Sequence, residues 1–169
     1  MKKGEKKNGF TMIEVALVLG IAGLIFLMVF IALPALQRNA ADAQRRDDIA
    51  TLIGAIKKYQ TNNRGMLPTD WSYKEGGGLY GYLSSELSDP DGAEYTLAAE
   101  ECSAESAGKA CTNNSVKNIE DAEFPESDHT IHVLTSATCD GSTPVLSANK
   151  RKVALVYKMQ GYGAYCNNT

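Results

Sequence analysis

From Val15 to Leu36 the chain carries no charged residue and consists mostly of Leu, Ile, Val, Phe and Ala. These twenty-two residues would span about 33 Å as a helix, enough to cross the hydrocarbon core of a bilayer. Pro34 is the only backbone breaker and lies near the end, with Gly20 and Gly23 as softer points. The rest of the chain is polar and rich in Gly, Ser, Asn and Asp, so the 44% hydrophobic average conceals a membrane-grade segment joined to a soluble domain. At 169 residues the chain suits one globular domain with an appendage. Lys2, Lys3, Lys6 and Lys7 precede the segment, which predicts a cytoplasmic N-terminus and an exported C-terminal domain.

Two ordinary explanations compete for this pattern. A secretory signal peptide also has basic residues before an apolar stretch, and Ala41-Asp42-Ala43 resembles its cleavage site. The run exceeds the usual h-region of roughly 7–15 residues, and polar residues separate it from that tripeptide. A plain single-pass anchor fits the length, yet gains nothing from Glu14, which opens the run between Ile13 and Val15. An unpaired carboxylate within lipid costs on the order of a few kcal/mol, and intramembrane acids are functional by default.

Gly9-Phe10-Thr11-Met12-Ile13-Glu14, followed by Val15-Ala16-Leu17, resembles the class III signal of type IV prepilins and type II secretion pseudopilins. The resemblance implies cleavage after Gly9 by a prepilin peptidase, N-methylation of Phe10, and pairing of Glu14 with a neighbouring subunit's terminal amine. Each charge alone would be expensive in an apolar fibre core, and pairing reduces the penalty. Met12 stands where the family usually has Leu, and Pro34, the implied kink, falls later than the family's proline. The expected fold is α+β and type IV pilin-like: a long N-terminal helix on a small antiparallel sheet. The expected organisation is a leader (1–9), an apolar assembly helix (10–36) and a head (37–169) that includes an amphipathic helix half (37–60).

Ile49, Leu52, Ile53, Ile56 and Tyr59 recur at helical spacing, with Arg45, Arg46, Asp47, Asp48, Lys57 and Lys58 expected on other faces. Asn62-Asn63-Arg64-Gly65 ends the helix and Pro68 forbids its return, giving a helix from Phe10 to about Gln60, roughly 75 Å long. The segment from Arg46 to Pro68, Asp89-Pro90-Asp91-Gly92 with Tyr95, and the run from Lys152 to Cys166 resemble the family's helix end, first turn and closing strands. On their own terms, Val153–Met159, Thr130–Leu134 and Ala93–Leu97 read as strands, Gly76-Gly77-Gly78 as a flexible loop, and Ala98–Asp128 as a long surface loop. Cys102, Cys111, Cys139 and Cys166 all lie beyond the apolar run without a Cys-x-x-Cys pair, which points to two disulfides with three pairings open. Within this layout Cys102 and Cys111 look like a local loop staple, and a Cys139 to Cys166 link would pin the C-terminal segment.

No catalytic, dinucleotide or phosphate-loop motif is present, so the expectation is a non-enzyme without cofactor or metal. His129 and His132, at odd spacing in a strand, make a poor metal pair. Asp89 and Asp91 read as a Pro-Asp-Gly turn more readily than as calcium ligands. Lys150-Arg151-Lys152 reads as a solvated cluster, since few charges give little phosphate affinity, and a net charge of −3 disfavours nucleic acid as a partner. Asn113-Asn114-Ser115 and Asn167-Asn168-Thr169 match the glycosylation sequon. The family resemblance implies a helical homopolymer on the cell surface, built from a membrane precursor by an assembly platform and ATPase. The rivals are a secretion or competence pseudopilin and an uncleaved, membrane-anchored binding domain.

Overall fold

The computed structural model describes residues 9–83, 87–113, 129–160 and 163–169. Its elements are one helix, α1 (Met12–Asn62), and strands β1 (Thr96–Glu101), β2 (Thr130–Thr135), β3 (Ala137–Asp140), β4 (Thr143–Leu146), β5 (Val153–Met159) and β6 (Gly163–Asn168). The chain divides into an N-terminal unit ending at Arg38 and a second unit, Asn39–Thr169.

In the first unit no residue from Val15 to Leu36 is buried, and the helix continues through Pro34. By length and composition this helix is able to cross a membrane.

The second unit is an α+β arrangement. Ile49, Leu52, Ile53 and Ile56 form one core cluster with Ile131, Val133, Val153, Leu155, Tyr157 and Met159. Each large aliphatic side chain removed from water there contributes on the order of 1.5–3 kcal/mol. The helix ends where Arg64 (φ 56°) and Gly65 (φ 79°) turn left-handed, and the Gly65 N–H donates to Gln60 O at 2.6 Å.

The four-stranded sheet runs β1-β2-β5-β6, and β3-β4 form a separate two-stranded sheet. The β2–β5 and β5–β6 pairings are antiparallel, as expected, but β1 pairs with β2 in parallel, Thr96 to Glu101 against Thr130 to Thr135. Residues 102–129 separate the two strands in sequence, a separation long enough for the crossover that a parallel pair requires. The expected strand at Ala93–Leu97 therefore begins later. Asp89 N–H donates to Ala93 O and Gly92 N–H to Asp89 O, both at 2.8 Å, which commits 89–93 to a tight turn. Residues 98–101, expected in a loop, belong to β1; residues 114–128 of that stretch lie outside the described ones.

The two central strands, β2 and β5, are buried on both faces. Val153, Leu155, Tyr157 and Met159 of β5 join the helix-side core, whereas Ala154 and Val156 join a second cluster with Leu134, Ala137, Cys102, Cys111 and Cys166. The disulfides are Cys102–Cys111, a local staple, and Cys139–Cys166, which ties β3 to β6. The glycine run at 76–78 is a held turn: a Cβ on Gly77 or Gly78 would collide with the backbone oxygens of Ser72 and Asp70. Leu79 N–H donates to Ser72 O at 3.0 Å and fixes the approach.

Candidate functional sites: the N-terminal motif and a buried ionic cluster

The motif at the head of α1 has a local geometry that its apolar neighbours conceal. Thr11 precedes the first helical residue; its hydroxyl accepts the Glu14 N–H at 3.4 Å, and the Glu14 carboxylate accepts the Thr11 N–H at 2.9 Å. The Thr11 hydroxyl also donates to that carboxylate at 2.9 Å. Thr11-Met12-Ile13-Glu14 is a capping box, two otherwise unpartnered N–H groups satisfied reciprocally. The S/T-x-x-E spacing of the box is legible in the sequence. Phe10 is 88% exposed. Gly9 has no positive φ, and among the described residues a Cβ there would meet nothing within 4 Å, so their packing does not require glycine at position 9.

The second site was not expected. Arg45, expected on a face other than the apolar stripe, is 3% exposed, and Asp42 and Asp89 are 2% and 1% exposed. Arg45 Nε donates to Asp89 Oδ2 and Nη2 to Asp89 Oδ1, each at 2.7 Å, while Nη1 reaches Asp42 Oδ1 at 3.1 Å. The Tyr157 hydroxyl donates to Asp89 Oδ2 at 3.0 Å, and the Gln160 N–H donates to Asp42 Oδ1 at 3.0 Å. Tyr95 packs edge-on against Tyr157 and donates its hydroxyl to Asp48 Oδ2 at 3.1 Å. The helix, the 89–93 turn and the end of β5 are thus joined through one guanidinium.

Burial pushes the Asp89 carboxyl up, but the bonds from Arg45 and Tyr157 outweigh it and hold the group below its ordinary value. Burial raises Asp48, partly opposed by the Tyr95 bond. The Arg45 guanidinium is raised, chiefly by its hydrogen bond to Asp89. Burial and the Asp89 charge raise both Tyr95 and Tyr157.

His129, just before β2, stands 3.4 Å from Asp91 Oδ2 and 3.9 Å from Asp89 Oδ2. His132, within β2, is buried. Asp89, Asp91 and His129 bring three donor atoms within 4.8 Å of one another, a grouping that histidine spacing alone did not reveal. Asp89 is already neutralised by Arg45 on both oxygens, so a cation there would have to sit against a guanidinium. The Asp91 side chain instead holds its own turn, accepting the Ala93 N–H at 2.9 Å.

The other singled-out residues are dispersed. The Asn113 side chain is engaged by Ser103 N–H, Glu100 and the Glu101 carbonyl, and the Thr169 hydroxyl accepts the Val153 N–H. Lys152 bonds the Thr169 carbonyl oxygen, whereas Lys150 and Arg151 are exposed. Asn114 and Ser115 lie outside the described residues. No family model, curated protein or solved structure matches this chain.

Proposed function

We propose that this chain is the precursor of a structural subunit in a type IV pilin-like fibre, cut after Gly9 and assembled through its apolar helix. The observation that carries the reading is the coincidence of the Gly9-to-Glu14 motif with a helix that buries none of its residues from Val15 to Leu36. Such a surface needs lipid or neighbouring copies, and head-to-tail contacts between copies that do not close give a filament. A glycine that the described residues do not need for packing supports a role for Gly9 outside the folded chain, such as fitting a peptidase.

In this reading the precursor sits in the inner membrane with its N-terminus cytoplasmic. A prepilin peptidase frees and methylates Phe10, and an ATP-driven platform extracts subunits into a surface homopolymer. Glu14 then exchanges its bonds to Thr11 for a neighbour's amine. Adhesion, motility or DNA uptake would be the fibre's service, or secretion if the chain is a pseudopilin.

One observation favours a second reading. The capping box satisfies Glu14 within its own chain, so an uncleaved anchor carrying an exported binding domain also accommodates that acid.

The test is the mass of the N-terminal peptide from sheared cell-surface material. A methylated peptide beginning at Phe10 is expected. A chain beginning at Met1 would establish the anchor instead, and one beginning at Gln44 ordinary secretion. Glu14→Gln should insert normally and assemble poorly; normal fibre yield would remove the neighbour pairing.

A further inference from the structure

Between the last turns of α1 and the segment 80–83 lies an open groove of about 660 Å³. Its helix wall presents Lys57, Lys58, Thr61 and Asn62, and its other wall presents Tyr80 and Tyr82. The second wall is tied to the fold at several points. Leu79 anchors it in the core at 0% exposure, Tyr80 N–H donates to Gly77 O, and Tyr82 N–H donates to Leu79 O, both at 3.1 Å. Gly81 sits at φ 83°, a conformation that keeps two tyrosines flanking one turn. Tyr82 is fixed edge-on against Tyr59 at 5.3 Å and accepts the Asn63 side-chain N–H at 3.4 Å. Tyr80 is left 56% exposed.

This lining has a specific chemistry. Two ammonium groups lie on one wall, and among the described residues neither makes an ion pair and no carboxylate lines the groove. Thr61 donates its hydroxyl proton to Lys57 O at 2.9 Å, so its oxygen remains an acceptor. Asn62 offers an amide with both donor and acceptor. A flat exposed ring, acceptors and donors for hydroxyls, and fixed positive charge together suit a polyhydroxylated ring bearing a carboxylate. Its apolar face would lie on Tyr80, and its acid would meet Lys57 and Lys58. Two lysines on a chain of net charge −3 are too few for useful affinity toward a nucleic-acid backbone. The volume lies within the range of small-molecule sites.

We propose that this groove binds acidic sugar residues of the uronic-acid type. The inference does not depend on the fibre reading.

The test is calorimetric titration of the full-length protein in detergent micelles with tetragalacturonate, with the neutral galactose oligomer of equal length as comparison. Saturable binding of the acidic sugar is expected. The neutral oligomer, Lys58→Gln and Tyr80→Ala should each lose about tenfold in affinity, the equivalent of about 1.4 kcal/mol. No saturable binding, or binding by both variants as tight as the wild type's with unchanged circular dichroism, would overturn the proposal. Tighter binding of hexathymidylate would also overturn it, assigning the groove to nucleic acid. Fibre yield from both variants, measured alongside, should be normal. Its loss with the sugar titration unchanged would assign the groove to packing between copies. Sugar binding without fibres in the wild type would uphold this inference and remove the fibre reading.

Discussion

Arg45 and Asp89 are joined by two bonds of 2.7 Å with almost no access to water, so each holds the other's burial tolerable. Removing either leaves a buried charge without its main partner, at a cost of up to about 3–5 kcal/mol, Asp42 remaining to Arg45 in the one case and Tyr157 to Asp89 in the other. Asp89→Asn and Arg45→Met should each lose stability on that scale in urea unfolding. The double variant should lose less than the sum, because neither of the two then orphans the other, and the remaining loss falls on Asp42, whose bond to Arg45 is gone. Asp48→Asn should change stability by less than about 1 kcal/mol, since its carboxyl is disfavoured by burial and an amide oxygen can still accept from Tyr95. The two acids also differ in pH response. The Asp89 carboxyl is depressed on folding, so its contribution is present above the unfolded value, about 3.9, and is lost as pH falls through the lower folded value. Asp48 is raised, so it gives up stability as pH climbs from about 3.9 through its folded value. Melting temperature should therefore fall steeply below about pH 4, and Asp89→Asn should flatten that limb. None of this was legible in the sequence. Charged residues on a helix are taken as exposed by default, and Asp89 lies 44 residues from Arg45, beyond any local spacing rule.

At the scale of elements, the apolar stripe from Ile49 to Ile56, the Asn62-to-Gly65 helix end and the β5 strand were all readable, because each rests on periodicity or local turn chemistry. The apolar run Val153–Val156 is unbroken by any polar residue. Such a run marks a strand buried on both faces, and here the second face rests on the disulfide-bonded cluster. The parallel β1–β2 pairing had no sequence signal, since Thr96–Glu101 is TLAAEE and lacks both alternation and β-branched density. Cys102, Cys111 and Cys166 are three of the seven buried residues in that second cluster, so the disulfides fill core as well as close loops. Cys139→Ala with Cys166→Ala should cost about 2–4 kcal/mol, read as a lower urea midpoint. The Cys102→Ala, Cys111→Ala pair closes a shorter loop and should cost less. A larger loss from the shorter loop would mean that packing of the sulfurs outweighs loop closure.

For the whole molecule, the proposed processing changes charge as well as length. Removing Met1 to Gly9 takes away four lysines and one glutamate, a net +3, and moves the chain from −3 to −6. Every copy added to a homopolymer would bring six more negative charges beside others like it, while the apolar helices supply attraction that salt does not weaken. Repulsion between exposed charges is screened beyond about 8 Å at physiological ionic strength. Association of the processed chain should therefore strengthen as salt rises from about 20 to 200 mM, measured by sedimentation of reassembling subunits. The unprocessed chain, at half the net charge, should respond less, because repulsion grows with the square of the charge. If association instead weakens with salt, attractive ion pairs between heads dominate. The exposed cations Lys57, Lys58, Lys150 and Arg151 would then be the first to reverse in sign.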